Sequence, residues 1–106
     1  MQYVPDRWII VEISGKNFGP DKRVLCGWSG GYTSGDSWRL GSKIVSYEEV
    51  DESYIFTTRS GKEYICRKSG HGLSVIMAGI LQSIEAVEEV VVEQLDPAKA
   101  IDELLR

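Results

Sequence analysis

The hydrophobic period of this chain changes once, near residue 70, and that change limits what each part can become. Before Arg67, apolar residues alternate with polar ones or run in short β-branched blocks, as they do in strands. From Leu73 they recur every three or four residues, the spacing of an amphipathic helix. Strands first and helices afterwards point to the α+β class, not to a parallel sheet with alternating elements. Charge divides at the same place. Residues 1–70 carry ten basic and nine acidic side chains, whereas residues 71–106 carry two and seven.

Within the first part, Trp8 to Ile13 is a nearly unbroken apolar run, suited to a strand buried on both faces. The turn formers Ser14-Gly15-Lys16-Asn17-Phe18-Gly19-Pro20 end it. A second strand is expected from Arg23 to Trp28, a short one at Trp38-Arg39-Leu40, and another from Lys43 to Glu49. Ser29 to Ser37, rich in glycine and serine, reads as a loop between strands. Tyr54 to Arg59 and Lys62 to Arg67 flank Ser60-Gly61, which suits a hairpin with a two-residue turn. That turn would set Arg59 opposite Lys62, Thr57 opposite Tyr64 and Ile55 opposite Cys66 on one face. Phe56 and Ile65 would pair on the other. Both faces keep apolar residues: one suits a covering helix, the other a curved sheet, a barrel-like closure or a dimer contact.

In the second part, Leu73, Ile76, Met77, Ile80, Leu81, Ile84 and Val87 form one stripe, predicting a helix from about Leu73 to Glu88. Ala78 and Gly79 would let it approach the strands closely. Val90 to Leu95 fits either a strand or a continued helix, and its consecutive β-branched residues favour the strand. Asp96-Pro97 reads as an N-cap followed by proline in the first turn, opening a final helix through Leu105 with Ile101, Leu104 and Leu105 inward. The expectation is one domain over residues 1–106: a curved, mainly antiparallel sheet of five to seven strands, one long helix across it, and a short C-terminal helix.

Composition narrows the function classes. A net charge of -4 argues against a general polyanion binder, so nucleic acid is not an expected partner. No apolar stretch is long enough to span a bilayer, and the first residues lack the apolar core of a signal peptide. The chain is therefore read as cytoplasmic, with Cys26 and Cys66 most simply reduced, buried thiols and a disulfide between them, on neighbouring strands, as the alternative. Two cysteines and one histidine, widely spaced, do not make a structural zinc site, and no cofactor or metal is expected.

Two kinds of site remain. Gly27-Trp28-Ser29-Gly30-Gly31 matches the G-x-S-x-G pattern of a nucleophile elbow, with His71 downstream. That motif needs a helix directly after the serine, and loop residues stand there instead. A small hydrolase or transferase using Ser29 or Cys66 with His71 is thus the rival reading. The preferred one is a non-catalytic binding or protein-interaction module, its partner a protein or small molecule, with a homodimer as one form it could take. Its surface would comprise Trp28, Tyr32, Asp36, Trp38 and Arg39 around the loop, with His71 near a helix start. Tryptophan, tyrosine and arginine supply contact area and hydrogen bonds together. Against this, Trp28 and Trp38 could instead anchor the loop's two ends in the core. A third reading, an acidic protein inhibitor, would use Glu85, Glu88, Glu89 and Glu93 on the helical face.

Overall fold

A computed structural model of the chain describes residues 1–29 and 37–104. Among the described residues eight strands run in chain order: β1 (Gln2–Tyr3), β2 (Arg7–Ser14), β3 (Asp21–Trp28), β4 (Ser37–Leu40), β5 (Ile44–Val50), β6 (Ser53–Thr58), β7 (Glu63–Arg67) and β8 (Val91–Leu95). Helix α1 (Val75–Glu85) lies between β7 and β8, and α2 (Pro97–Leu104) follows β8. The α+β class holds. The single sheet does not: the strands form two four-stranded sheets, ordered β1-β7-β6-β5 and β4-β3-β2-β8.

Strand β2 explains the layering. Its apolar run is buried on both sides, as its sequence demands. Trp8 and Ile10 join Val24, Cys26, Ile44, Phe56, Tyr64 and Cys66 in a core between the sheets. Ile9, Val11 and Ile13 join Leu25 and Met77 in a second core beneath α1. The long apolar cover expected for the hairpin is therefore the other sheet, and α1 covers the far side of β2 and β3. The chain passes between sheets at Gly41-Ser42-Lys43, where Gly41 N–H donates to the Val24 carbonyl (2.9 Å) and Arg59 N–H to the Lys43 carbonyl (2.8 Å). A Cβ on Gly41 would sit 3.0 Å from the Tyr64 ring, so this corner closes tightly on the core.

The β6–β7 hairpin is present with a different register. Phe56 lies opposite Tyr64 and Tyr54 opposite Cys66, one residue away from the pairing that a two-residue turn requires. Gly61 adopts φ +88°, and its N–H donates to the Thr58 carbonyl while Thr58 N–H donates to Lys62. Arg59, Ser60 and Gly61 thus make a three-residue connection with glycine in the left-handed position. The slip exchanges faces. Tyr54, Phe56, Tyr64 and Cys66 now share the inward face, and Ile55 pairs with Ile65 on the outer one.

Helix α1 is shorter than its stripe. Ser74, extended and accepting from the Met77 N–H, caps it, and the helix stops at Glu85. Leu73 (42% exposed) and Val87 (52%) fall outside it, and Met77 is its only fully buried side chain. Close approach occurs at Gly27, where a Cβ would meet Met77 Cγ at 3.2 Å, and not at Gly79, which has nothing within 4 Å. Val91–Leu95 is a strand, pairing antiparallel with β2 from Ile10↔Leu95 to Ser14↔Val91. Asp96 caps α2 as expected, its carboxylate accepting from Ala98 N–H at 2.9 Å. Ala100, Ile101 and Leu104 close the end of the inter-sheet core, and Leu105 lies outside the described residues. Lys22 ties α2 to β2 by bridging Glu12 (3.1 Å) and Glu103 (3.0 Å). The parallel pairing of β1 with β7 had no local signal in its two residues.

Candidate functional site

Strand parity splits the expected surface. Cys26 lies opposite Arg39 and Gly27 opposite Trp38, so Trp28 and Arg39 face the other sheet while Trp38 and Leu40 face α1. Trp28 is an anchor: its indole N–H donates to the Val4 carbonyl (2.9 Å) and its ring packs 6.1 Å from Tyr3. Arg39 is engaged as well. Its Nε donates to the Tyr64 hydroxyl (3.0 Å), and its guanidinium lies 4.5 Å from the centre of the Tyr3 ring. Tyr32 and Asp36 lie outside the described residues. Of Trp28, Trp38 and Arg39, Trp38 alone stands open, 45% exposed.

Around Trp38 the structure places an open groove of about 640 Å³ between β4 and α1, lined by Trp38, Arg39, Leu40, Ile80, Ser83, Ile84 and Val87. Ile80 and Ile84 are half-buried, and they reach it because the sheet ends at β4 before the helix stripe does. The sequence carried one sign of this: the stripe holds more apolar residues than an edge strand can cover. Glu85, Glu88 and Glu89 are exposed at the adjoining end of α1, and the last helical turn has no basic residue. The unpaired carbonyls of a helix C-terminus add to that negative end.

His71 is elsewhere. Its ring packs edge-on against Trp8 (4.9 Å between centres), beside a smaller hollow of about 270 Å³ that also touches Tyr54, Lys68, Asp96 and Pro97. Lys68 there is paired with Glu49 and lies 5.0 Å from the centre of the Tyr54 ring. Ser29 donates its N–H to Asp6 Oδ2 at 2.8 Å. Among the described residues no hydrogen bond joins His71 to Ser29 or to either cysteine.

Both cysteines are free and buried. Burial pushes the Cys26 thiol up to about 12, and burial followed by the nearby Cys26 raises Cys66 as well. Neither offers a thiolate near neutral pH. Both thiols ionise near 9.0 in the unfolded chain and only at higher pH in the folded one. Stability is untouched below that pH and falls above it, by about 1.4 kcal/mol per thiol per pH unit. Denaturant titrations across the alkaline range should show that slope, and Cys26→Ala/Cys66→Ala should flatten it. An equal slope in the double variant would show that the thiols are not its source.

Among the described residues no group of three or more histidine, cysteine, aspartate or glutamate side chains is placed to hold a metal ion. No helix among them is long and apolar enough to cross a membrane. No family model matches the chain, and neither the curated proteins nor the solved structures contain a significant match.

Proposed function

We propose that this protein is a non-catalytic binding module, and that its recognition surface is the groove between β4 and α1. The observation that carries this is the open tryptophan, Trp38, set in an apolar trough with Leu40, Ile80 and Ile84. Exposed apolar concavities with one or two anchoring aromatics are where soluble domains meet ligands and partners. In this reading Trp38 is the anchor of the surface. Arg39 and Trp28 act as supports: by holding Tyr64, Tyr3 and the Val4 carbonyl, they fix the strand that presents Trp38.

A fragment screen read by amide and indole chemical shifts tests the location. Bound fragments should perturb Trp38, Leu40, Ile80 and Ile84 together, and Trp38→Ala should abolish the effect while changing stability by less than about 1 kcal/mol. Perturbations centred on Trp8 and His71, or none anywhere, would remove the groove as the site.

A further inference from the structure

We infer that the groove takes an extended peptide from another protein, basic and with alternating apolar residues, added as a new strand along the free edge of β4. The inference rests on the binding site proposed above and names its occupant. Gly41 N–H bonds the Val24 carbonyl, and Cys26 lies opposite Arg39, so Arg39 turns its main-chain groups toward β3. Trp38 and Leu40 then turn theirs outward, each with one donor and one acceptor. Among the described residues no strand pairs with that side of β4.

The other sheet edges are poor templates. β1 has two residues, β5 is broken by an irregularity between Ile44 and Ser46 and carries Glu48 and Glu49, and β8 carries Glu93 and runs into Asp96-Pro97. Short length, irregular pairing, charge and proline are the devices that blunt an edge. β4 is itself short, at four residues, but its one charged side chain, Arg39, is held by Tyr64 and Tyr3, and it has no irregularity, acidic residue or proline. A strand laid beside it would send every second side chain toward Ile80, Ile84 and Val87, and its main chain toward Trp38 and Leu40.

Charge selects the occupant. Glu85, Glu88 and Glu89 flank the groove's helical wall, and Arg39, the cation among the lining residues, is held by Tyr64 and Tyr3. A second copy pairing β4 with β4 would set two such acidic ends together, on chains each carrying a net charge of -4. A peptide with lysine or arginine between its apolar residues meets the same rim favourably.

An unbiased display library of peptides about ten residues long, selected on the intact protein, tests this. Selected peptides should alternate apolar residues with period two and be enriched in lysine and arginine. On binding, exchange of the Trp38 and Leu40 amides should slow by about tenfold or more, and main-chain N-methylation of alternate peptide residues should abolish binding. Peptides with helical spacing or acidic enrichment, or binding insensitive to N-methylation, would overturn strand addition. If such peptides still shift Ile80 and Ile84, the groove survives as the site. An empty selection overturns the peptide occupant, and the fragment screen then decides the groove separately. Concentration-dependent dimers with protected Trp38 and Leu40 amides would assign the edge to a second copy.

Discussion

Trp8→Ala is expected to remove about half of the folding stability or more. Trp8 is wholly buried and sits where β2, the β6–β7 hairpin and the start of the α1 connection converge. Its ring packs 6.1 Å from Tyr54, 6.0 Å from Phe56 and 4.9 Å from His71. Its indole N–H donates to the Arg67 carbonyl at 2.7 Å, and its own carbonyl accepts from Gly72 N–H. Truncating a buried aromatic to alanine costs about 3–5 kcal/mol through lost burial and the cavity left behind. A domain this small has about 5–10 kcal/mol in total, so the variant would keep roughly half of its stability or less and unfold at a much lower temperature. Trp8→Phe separates the contributions, since it keeps a ring but strands the Arg67 carbonyl, at about 1–3 kcal/mol. Thermal unfolding followed by circular dichroism reads both. A cooperative transition in Trp8→Ala only a few degrees below the parent would show that the inter-sheet core does not depend on this residue.

Met77→Asp should release α1 while the two sheets remain packed. Met77 is the helix's only fully buried residue, seated over Gly27 in the core with Ile9, Val11 and Leu25. A carboxylate there would be desolvated without a partner, and either its ionisation or its burial must be given up. The loss should be at least about 3 kcal/mol, whereas Met77→Leu should cost less than about 1.5 kcal/mol. The inter-sheet core contains no residue of α1, so hydrogen exchange should show where the loss falls. Amides of α1 should lose protection, and those of Phe56, Ile65 and Cys66 should keep it. Equal loss in both places would mean that the two cores form one cooperative unit. Because α1 is one wall of the groove, this variant should also lose fragment binding, whereas Met77→Leu should keep it.

These two residues show how unevenly the sequence reveals its fold. Both sit in runs whose period places them inward, and both are buried. What each is buried against was not legible, because periodicity identifies a face and not its partner. The same limit split the expected binding surface. Trp28, Trp38 and Arg39 are close in sequence, but strand parity sends Trp38 to the helix side and the other two to the sheet side. The parity was readable in principle. Which layer would lie on which side was not, because the alternation marks two apolar faces without naming the element that covers each.

Local chemistry alone determined the positions of β2 to β7 and the Asp96-Pro97 start of α2, and favoured a strand at Val91–Leu95, since each depends on side chains within a few residues of one another. Tertiary structure decided the rest. A three-residue connection at Arg59, Ser60 and Gly61 in place of a two-residue one moves Phe56 opposite Tyr64. That single step turns a hairpin meant for a helix into one that packs on a second sheet. The energies that choose between such turns are small beside those of burying Tyr54, Phe56, Tyr64 and Cys66 on one face, so the distant partner, β2 with its Trp8 and Ile10, sets the register.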